Sequence, residues 1–239
     1  MEPRPTLLDF VDRELVDESV HHLRDRGLGF RLGSKLLSVS MEGEQPVALL
    51  EGGRRVRAEM LLFAAGRVGA TDALDLPACG LAADGRGRLT VDPKSFRTAV
   101  PRICATGDVI GFPSLASTSL ERGRIAACHA FGEPLPPAPE FFPYGIHSVP
   151  EISTAGLSEE QVREAGTPDG CGVARHRETS RGHIMGLGGG LLEMVVSLET
   201  RRLLGVHIVG EGATELIHIG QAVLNLRGTL DYFVENTFN

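Results

Sequence analysis

The stretch ICATGDVIGFPSLAST, residues 103–118, constrains the fold of this chain more than any other. Residues 102–105 predict a buried strand that stops at Gly107 and Asp108, and the small residues that follow predict the start of a helix. In open α/β sheets, ligands bind beyond the carboxyl ends of strands, where helix N-termini direct free N–H groups at them.

The carboxylate of Asp108 has no obvious cationic partner in the sequence. At the end of a strand, a carboxylate can accept hydrogen bonds from the hydroxyl groups of a polyol or a ribose. The alternative is that Asp108 only completes a turn, which is the usual role of Asp after Gly. Local pattern leaves both interpretations open.

The segments before this stretch predict one helix, one hairpin and one further strand. Apolar residues recur at helical spacing over residues 7–27, which predicts an amphipathic helix. Residues 28–40 predict a strand. A hairpin with a Gly-Gly turn begins at Gln45 and leads into a predicted buried strand at residues 60–65.

The segments after it predict a helix, a linker and a mixed region. Residues 114–132 fit a helix that ends at glycine, and the Pro-rich residues 133–143 are the clearest linker. Beyond the linker we expect a strand, a helix capped by Ser158, two strands joined at residues 199–202, and a helix over residues 213–226. This order predicts an α/β protein with at least two substructures.

Composition and spacing exclude several functions. The formal charge is −7 and no dense Lys/Arg run occurs, which argues against nucleic acid as a partner. No apolar run approaches the roughly 18 residues of a membrane span, and no secretory signal pattern opens the chain, so we expect a cytoplasmic protein. The four cysteines and eight histidines show no metal-ligand spacing, which predicts reduced thiols and no metal site.

Four segments resemble the FAD-dependent pyridine nucleotide–disulfide oxidoreductases, in the order that this family has them. TAVPRICATGDVIGFPSLASTSLERGRIAA, residues 98–127, is similar to the family's second flavin-binding motif. The other three are LLFAAGRVGATDAL (61–74), YGIHSVPEISTAGLSEEQV (144–162) and LLGVHIVGEGATELIHIGQAV (203–223). The resemblance therefore covers essentially the whole chain.

The resemblance implies partial FAD/NAD(P)-binding Rossmann-like domains followed by an α+β dimerisation domain. The implied division is an NAD(P)-binding part at 1–68, a flavin-binding part at 69–132, the linker at 133–143 and the dimerisation domain at 144–239. Because no GxGxxG fingerprint follows a strand here, both dinucleotide fingerprints are expected upstream. We therefore expect a C-terminal fragment, also shortened at its own C-terminus, in which Met1 is an internal methionine.

The resemblance also implies cofactor-binding residues. Those implied for FAD are Gly107, Asp108, Leu115, Ala116 and Ser117, with Asp108 on the ribitol chain, Gly107 allowing close approach of the ligand, and the other three near the isoalloxazine. Those implied for the nicotinamide nucleotide are Ala65, Gly66 and Glu2, together with Arg4 near a 2′-phosphate. No residue of this chain is implied as a catalytic acid, base or nucleophile.

The resemblance is closest to the transhydrogenase branch of the family, in GDVIGFPSLAS, TELIHIGQAV and YFVENTFN. It implies a homodimeric flavoprotein that transfers hydride between NADPH and NAD⁺ through FAD. We expect the isolated chain to bind FAD weakly or not at all and to be inactive. The alternatives are a fragment of a disulfide reductase similar to dihydrolipoyl dehydrogenase or mercuric reductase, and a non-catalytic dimerisation module.

Overall fold

The computed structural model describes residues 1–134 and 140–238, which form two compact units. The first unit joins Met1–Leu62 to the chain from Phe141 onward, and the second is Phe63–Glu140. The central part of the predicted linker, residues 135–139, lies outside the described residues.

The structure is built from the following helices and strands. The helices are α1 (Arg13–Asp25), α2 (Ala116–Phe131), α3 (Glu159–Glu164), α4 (Ser180–Met185), α5 (Ala213–Asn225) and α6 (Asp231–Glu235). The strands are β1 (Leu36–Glu42), β2 (Gln45–Leu50), β3 (Arg55–Arg57), β4 (Tyr144–Ile146), β5 (Ile152–Gly156), β6 (Asp169–Arg175), β7 (Leu191–Ser197) and β8 (Leu203–Val209). The predicted mixed α/β class is confirmed.

Two antiparallel sheets lie in the first unit. β1, β2 and β3 form the smaller sheet, and the predicted hairpin with its Gly-Gly turn is confirmed between β2 and β3. The larger sheet has the order β4-β5-β8-β7-β6. Its centre is the predicted pair of strands joined at residues 199–202, which is β7 and β8.

The larger sheet buries both of its faces against helices. On one face, α5 packs Ile217 and Val223 against Val206 and Ile208 of β8. On the other face, Leu15, Val16 and Val20 of α1, with Val11 just before the helix, pack against Ile152, Leu191 and Val209. Since the side chains of a strand alternate between faces, β7 and β8 supply both cores at once.

The ends of two helices follow from their capping residues. α1 begins six residues later than its apolar pattern predicts, because Asp12 accepts a hydrogen bond from the Glu14 N–H at 3.0 Å and caps it. α3 has the predicted cap: the Ser158 hydroxyl accepts from the Gln161 N–H, and the Gln161 side chain accepts from the Ser158 N–H. This reciprocal capping box satisfies two N–H groups that the helix itself leaves free.

Two predicted buried strands are wrong. Residues 60–65 form no strand, and the side chains of Met60, Leu62 and Phe63 are exposed. Residues 102–105 contain only an isolated bridge between Cys104 and Arg97. A strand is stable only when a neighbouring strand pairs with it. No named strand of the described residues runs beside either segment.

The second unit packs α2 against irregular chain. Phe96, Ile125 and Ala126 form its buried core, with Val91, Cys104 and Ile110 partly buried around them. α2 ends as predicted at Gly132, which adopts a left-handed conformation. Across both units, none of the described helices combines the length and the apolar composition that crossing a membrane requires.

Replacing Leu191 by alanine tests the double packing of the sheet. Leu191 is fully buried between the sheet and α1, so the substitution is expected to lower the free energy of unfolding by about 2–5 kcal/mol. Urea unfolding measures this change. Leu198→Ala, at an exposed leucine beyond β7, is the control and should stay within about 0.5 kcal/mol of the parent. An effect of Leu191→Ala no larger than the control would show that α1 does not rest on this face.

Candidate functional site

The candidate site is centred on a 3₁₀ turn, Gly107–Ile110, in the second unit. Gly107 opens the turn at a φ of +81°, a conformation that residues with a Cβ rarely adopt. The turn packs against α2, and a Cβ added to Gly107 would lie 3.7 Å from Ser119 Oγ. Gly107 and Asp108 therefore lie beside the first turns of α2, as the sequence predicted.

Asp108 has a cationic partner, which corrects the expectation drawn from the sequence. Arg67 Nη1 donates to Asp108 Oδ2 at 2.6 Å across a sequence separation of 41 residues. Both side chains remain largely exposed, at 75% for Arg67 and 47% for Asp108. The carboxylate is therefore paired and still accessible to a ligand hydroxyl.

A close approach of two backbone segments positions Arg67. Gly69 N–H donates to the Arg86 carbonyl at 2.8 Å, and a Cβ added to Gly69 would lie 1.8 Å from the Gly87 oxygen. The turn that contains Arg86 is itself fixed, because Asp84 accepts from the N–H groups of Arg86 and Arg88. Only glycine at position 69 permits this contact, which holds the segment after Gly66 in place.

The N-terminus of α2 carries no side-chain cap. Leu115 occupies the capping position in an extended conformation, and Ala116 and Ser117, both exposed, form the first turn. Such a turn presents backbone N–H groups and the positive end of the helix dipole to an acceptor. The predicted residues Leu115, Ala116 and Ser117 thus share one helix start.

Two side chains of α2 hold the preceding loop in place through hydrogen bonds to its carbonyl groups. The buried Thr118 hydroxyl donates to the carbonyls of Pro113 and Leu115 at 3.1 and 3.0 Å. Arg122 donates to the carbonyls of Gly111 and Phe112 at 3.3 and 2.9 Å. Burial lowers the pKa of Arg122, and the charge of Asp108 opposes that change, so a second guanidinium adds positive potential near this carboxylate.

The residues predicted for the nicotinamide nucleotide fall in both units. Ala65 and Gly66 are exposed and directly precede Arg67 in the second unit. Glu2 lies in the first unit, where its N–H donates to the Arg31 carbonyl at 2.8 Å. Its carboxylate accepts from Arg4 Nε at 2.9 Å, and this hydrogen bond lowers the pKa of Glu2. Glu2 and Arg4 are therefore partners of each other.

Comparison with known families identifies the chain. A family model described as pyridine nucleotide-disulphide oxidoreductase matches residues 1–123. The model of that family's dimerisation domain matches residues 142–239. The chain belongs to the pyridine nucleotide-disulphide oxidoreductase family. The resemblance read from the four sequence segments is confirmed.

Members of this family with similar sequences are named soluble pyridine nucleotide transhydrogenases. One from Mycobacterium tuberculosis is 47% identical over 239 residues, which is 100% of this chain and 51% of that protein. One from Erwinia tasmaniensis is 40% identical, over 99% of this chain and 51% of that protein. The chain spans about half the length of the curated relatives it matches.

Two solved structures share the fold of this chain. The HOCl-induced flavoprotein disulfide reductase RclA from Escherichia coli superposes with a TM-score of 0.91 at 27% identity, over 99% of this chain and 55% of that one. LpdA from Mycobacterium tuberculosis superposes with a TM-score of 0.89 at 24% identity, over 99% and 52%. The second likeness, at the lower identity, concerns the fold alone.

Substituting Asp108 by asparagine separates binding from stability. Because the Arg67–Asp108 pair is exposed, Asp108→Asn is expected to change the free energy of unfolding by less than about 1 kcal/mol. Thr118→Val is the comparison, since it removes the hydrogen bonds that the buried Thr118 hydroxyl donates to the Pro113 and Leu115 carbonyls and should cost about 1–3 kcal/mol. Urea unfolding measures the free energy of unfolding of both variants. A larger decrease for Asp108→Asn than for Thr118→Val would show that the ion pair has a structural role.

Proposed function

We propose that this chain supplies the ribitol-binding and dimerisation parts of a flavoprotein that transfers hydride between NADPH and NAD⁺ through FAD. The observation that carries the proposal is the accessible Asp108 carboxylate beside the uncapped start of α2. Relatives named soluble pyridine nucleotide transhydrogenases, at 40–47% identity, support this activity over others in the family.

The donors and acceptors at this place fit a flavin. The Asp108 carboxylate can accept hydrogen bonds from ribitol hydroxyls while Arg67 keeps it oriented. The backbone N–H groups of Ala116 and Ser117, with the helix dipole, suit an electron-rich edge of a ring. The left-handed Gly107 lets the chain turn without a side chain in the way.

Each part of the chain has a proposed role around the bound FAD. FAD, when bound, supplies the acceptance and release of hydride. Asp108 binds and orients the ribitol, and Leu115, Ala116 and Ser117 stabilise negative charge beside the ring. Ala65 and Gly66 line the path of the nicotinamide, and Glu2 binds the adenosine ribose of the nicotinamide nucleotide. No side chain of this chain is proposed as a catalytic acid, base or nucleophile.

Substitution at Asp108 in a chimaera tests the flavin site. In the chimaera, this chain replaces the matching half of the Mycobacterium tuberculosis relative. Asp108→Asn is expected to reduce the bound flavin per chain at least about tenfold, because it removes a charge-assisted acceptor from a ligand contact. Flavin absorbance after gel filtration measures this, and hydride transfer from NADPH to a spectrally distinct NAD⁺ analogue measures activity. Asp92→Asn, at an exposed turn, is the control and should retain flavin.

Two outcomes of this experiment would contradict the proposal. Full flavin content in Asp108→Asn would remove the carboxylate from the site. A flavin-loaded chimaera that reduces disulfides but transfers no hydride to the NAD⁺ analogue would favour the disulfide reductase alternative. That alternative is supported by the structural likeness to RclA. A Cys-x4-Cys motif encoded upstream of Met1 would select it independently.

The isolated chain is proposed to bind FAD weakly and to be inactive. The remaining half of each relative has no counterpart in these 239 residues, and we place the adenosine-binding fingerprints there. We also keep the division at residues 68, 132 and 143, and a cytoplasmic location, as proposals. A yellow preparation of the purified chain with one flavin per chain would contradict the proposal that the isolated chain binds FAD weakly.

A homodimer formed through residues 144–239 is the last part of this proposal. The family model for residues 142–239 is a dimerisation domain, and α5 exposes Leu216 and Ile219 on the side away from its core. Ile219→Asp is therefore expected to shift a dimer to a monomer, because it places a charge in an apolar contact. Light scattering coupled to gel filtration measures the mass. Leu120→Asp, at an exposed leucine of α2, is the control; a dimer that survives Ile219→Asp would move the interface away from α5.

A further inference from the structure

One acid lies among the apolar residues on the inward face of β7. Leu191, Glu193 and Val195 alternate toward α1, and Glu193 is only 1% exposed. Its Oε2 is buried and accepts a hydrogen bond from none of the described residues. A buried carboxylate without a counter-charge is costly, which favours the protonated form of Glu193.

A second buried carboxylate, Asp12, lies directly before α1, and its charge acts on Glu193. Asp12 is 2% exposed and accepts hydrogen bonds at 3.0 Å from the N–H groups of Glu14 and Glu159. These N–H groups open α1 and α3, so two helix N-termini direct their positive ends at this carboxylate. The pair therefore has one member placed to hold a negative charge and one placed to hold a proton.

The surroundings of Glu193 raise its pKa to about 7. Burial is the largest cause, and the hydrogen bond from Cys171 opposes it. The charge of Asp12 raises the pKa further, as does a hydrogen bond to Asp12 that only the protonated Glu193 can donate. Glu14 adds a smaller repulsion from the first turn of α1.

The other polar groups around Glu193 bring no compensating positive charge. Cys171 on β6 donates its thiol to Oε1 at 2.7 Å. His207 on β8 is directly opposite Glu193, and burial lowers its pKa. Its Nε2 lies 3.0 Å from the Leu157 carbonyl and its Nδ1 contacts the Thr154 hydroxyl. Since a carbonyl only accepts, Nε2 carries a proton, and the lowered pKa favours the neutral ring.

Charged groups on the neighbouring helices leave this balance unchanged. On α3, Glu159 and Glu160 add negative potential at Cys171 and at His207, respectively. Arg175, at the end of β6, pairs with Glu14 and Glu18 at 3.4 and 3.3 Å. The electrostatic field at Glu193 is therefore set mainly by acids, and a second ionised carboxylate beside Asp12 would be repelled.

We propose that Glu193 and Asp12 share one proton, and that this shared proton stabilises the packing of α1 on the larger sheet. When α1 is docked, the pair is dry and holds the proton. When α1 separates from the sheet, the Glu193 carboxyl group is exposed to water and releases the proton. Docking therefore weakens as pH rises from the ordinary range of a glutamate to neutrality, and is constant above it. The direction follows from linkage, because the docked state binds more protons than the open state in that interval.

Hydrogen exchange of α1 amides measures this coupling in the intact chain. Protection of the Val16 and Val20 amides, corrected for intrinsic exchange, is expected to fall by up to about tenfold per pH unit between pH 5.5 and 7. Above that it should level off. In Glu193→Gln the protection should not depend on pH, because glutamine keeps a donor for Asp12 and carries no charge. Asp17→Asn, at an exposed acid of the same helix, is the control and should keep the parent profile.

Carbon-13 NMR of labelled glutamate carboxyl groups tests the same proposal without relying on the Glu193→Gln variant. The Glu193 signal should titrate near neutral pH in the parent chain and at a lower pH in Asp12→Asn, which removes the facing charge. A Glu193 midpoint in the ordinary glutamate range would overturn the proposal. So would protection of α1 that is equally independent of pH in the parent and in Glu193→Gln.

Discussion

The packing of α1 and α5 on opposite faces of one antiparallel sheet is the contact on which the first unit depends. Leu191 of β7 points to α1, and its neighbour Leu192 points to the α5 side. A strand that is apolar on both faces cannot remain at the surface, so the two helices must cover it together. Because α1 comes from the N-terminal segment, this unit is not completed by the C-terminal residues alone.

Helices α1, α2, α3 and α5 and the central hairpin of the larger sheet were predictable because their signals are local. Ser158 and Gln161 specify a capping box within four residues, and β7 and β8 alternate on either side of a short turn. The strands predicted at residues 60–65 and 102–105 failed because an apolar run specifies burial but not the neighbour that provides it. Met60 and Leu62 are exposed instead. β6 and α4 were missed because their sequences, rich in glycine and polar residues, carry no clear period.

The residues of the candidate site also divide into those that local sequence predicts and those that it does not. Gly107, Asp108 and the start of α2 adjoin one another along the chain, so their proximity could be predicted. Arg67 could not, because its approach to Asp108 depends on the contact of Gly69 with Gly87 and not on any local pattern. Glu193 was overlooked although its signal was available: at a spacing of two, it falls on the same face as Leu191 and Val195.

The composition of the first unit from two separate segments affects the order in which the chain can fold during synthesis. α1 leaves the ribosome long before β7 and β8, the strands that cover its apolar stripe, have been made. The whole of Phe63–Glu140 emerges in between, and it can assemble from contacts within its own sequence. Leu15 and Val16 of α1 can therefore reach their partners on the larger sheet only after that whole unit has been synthesised.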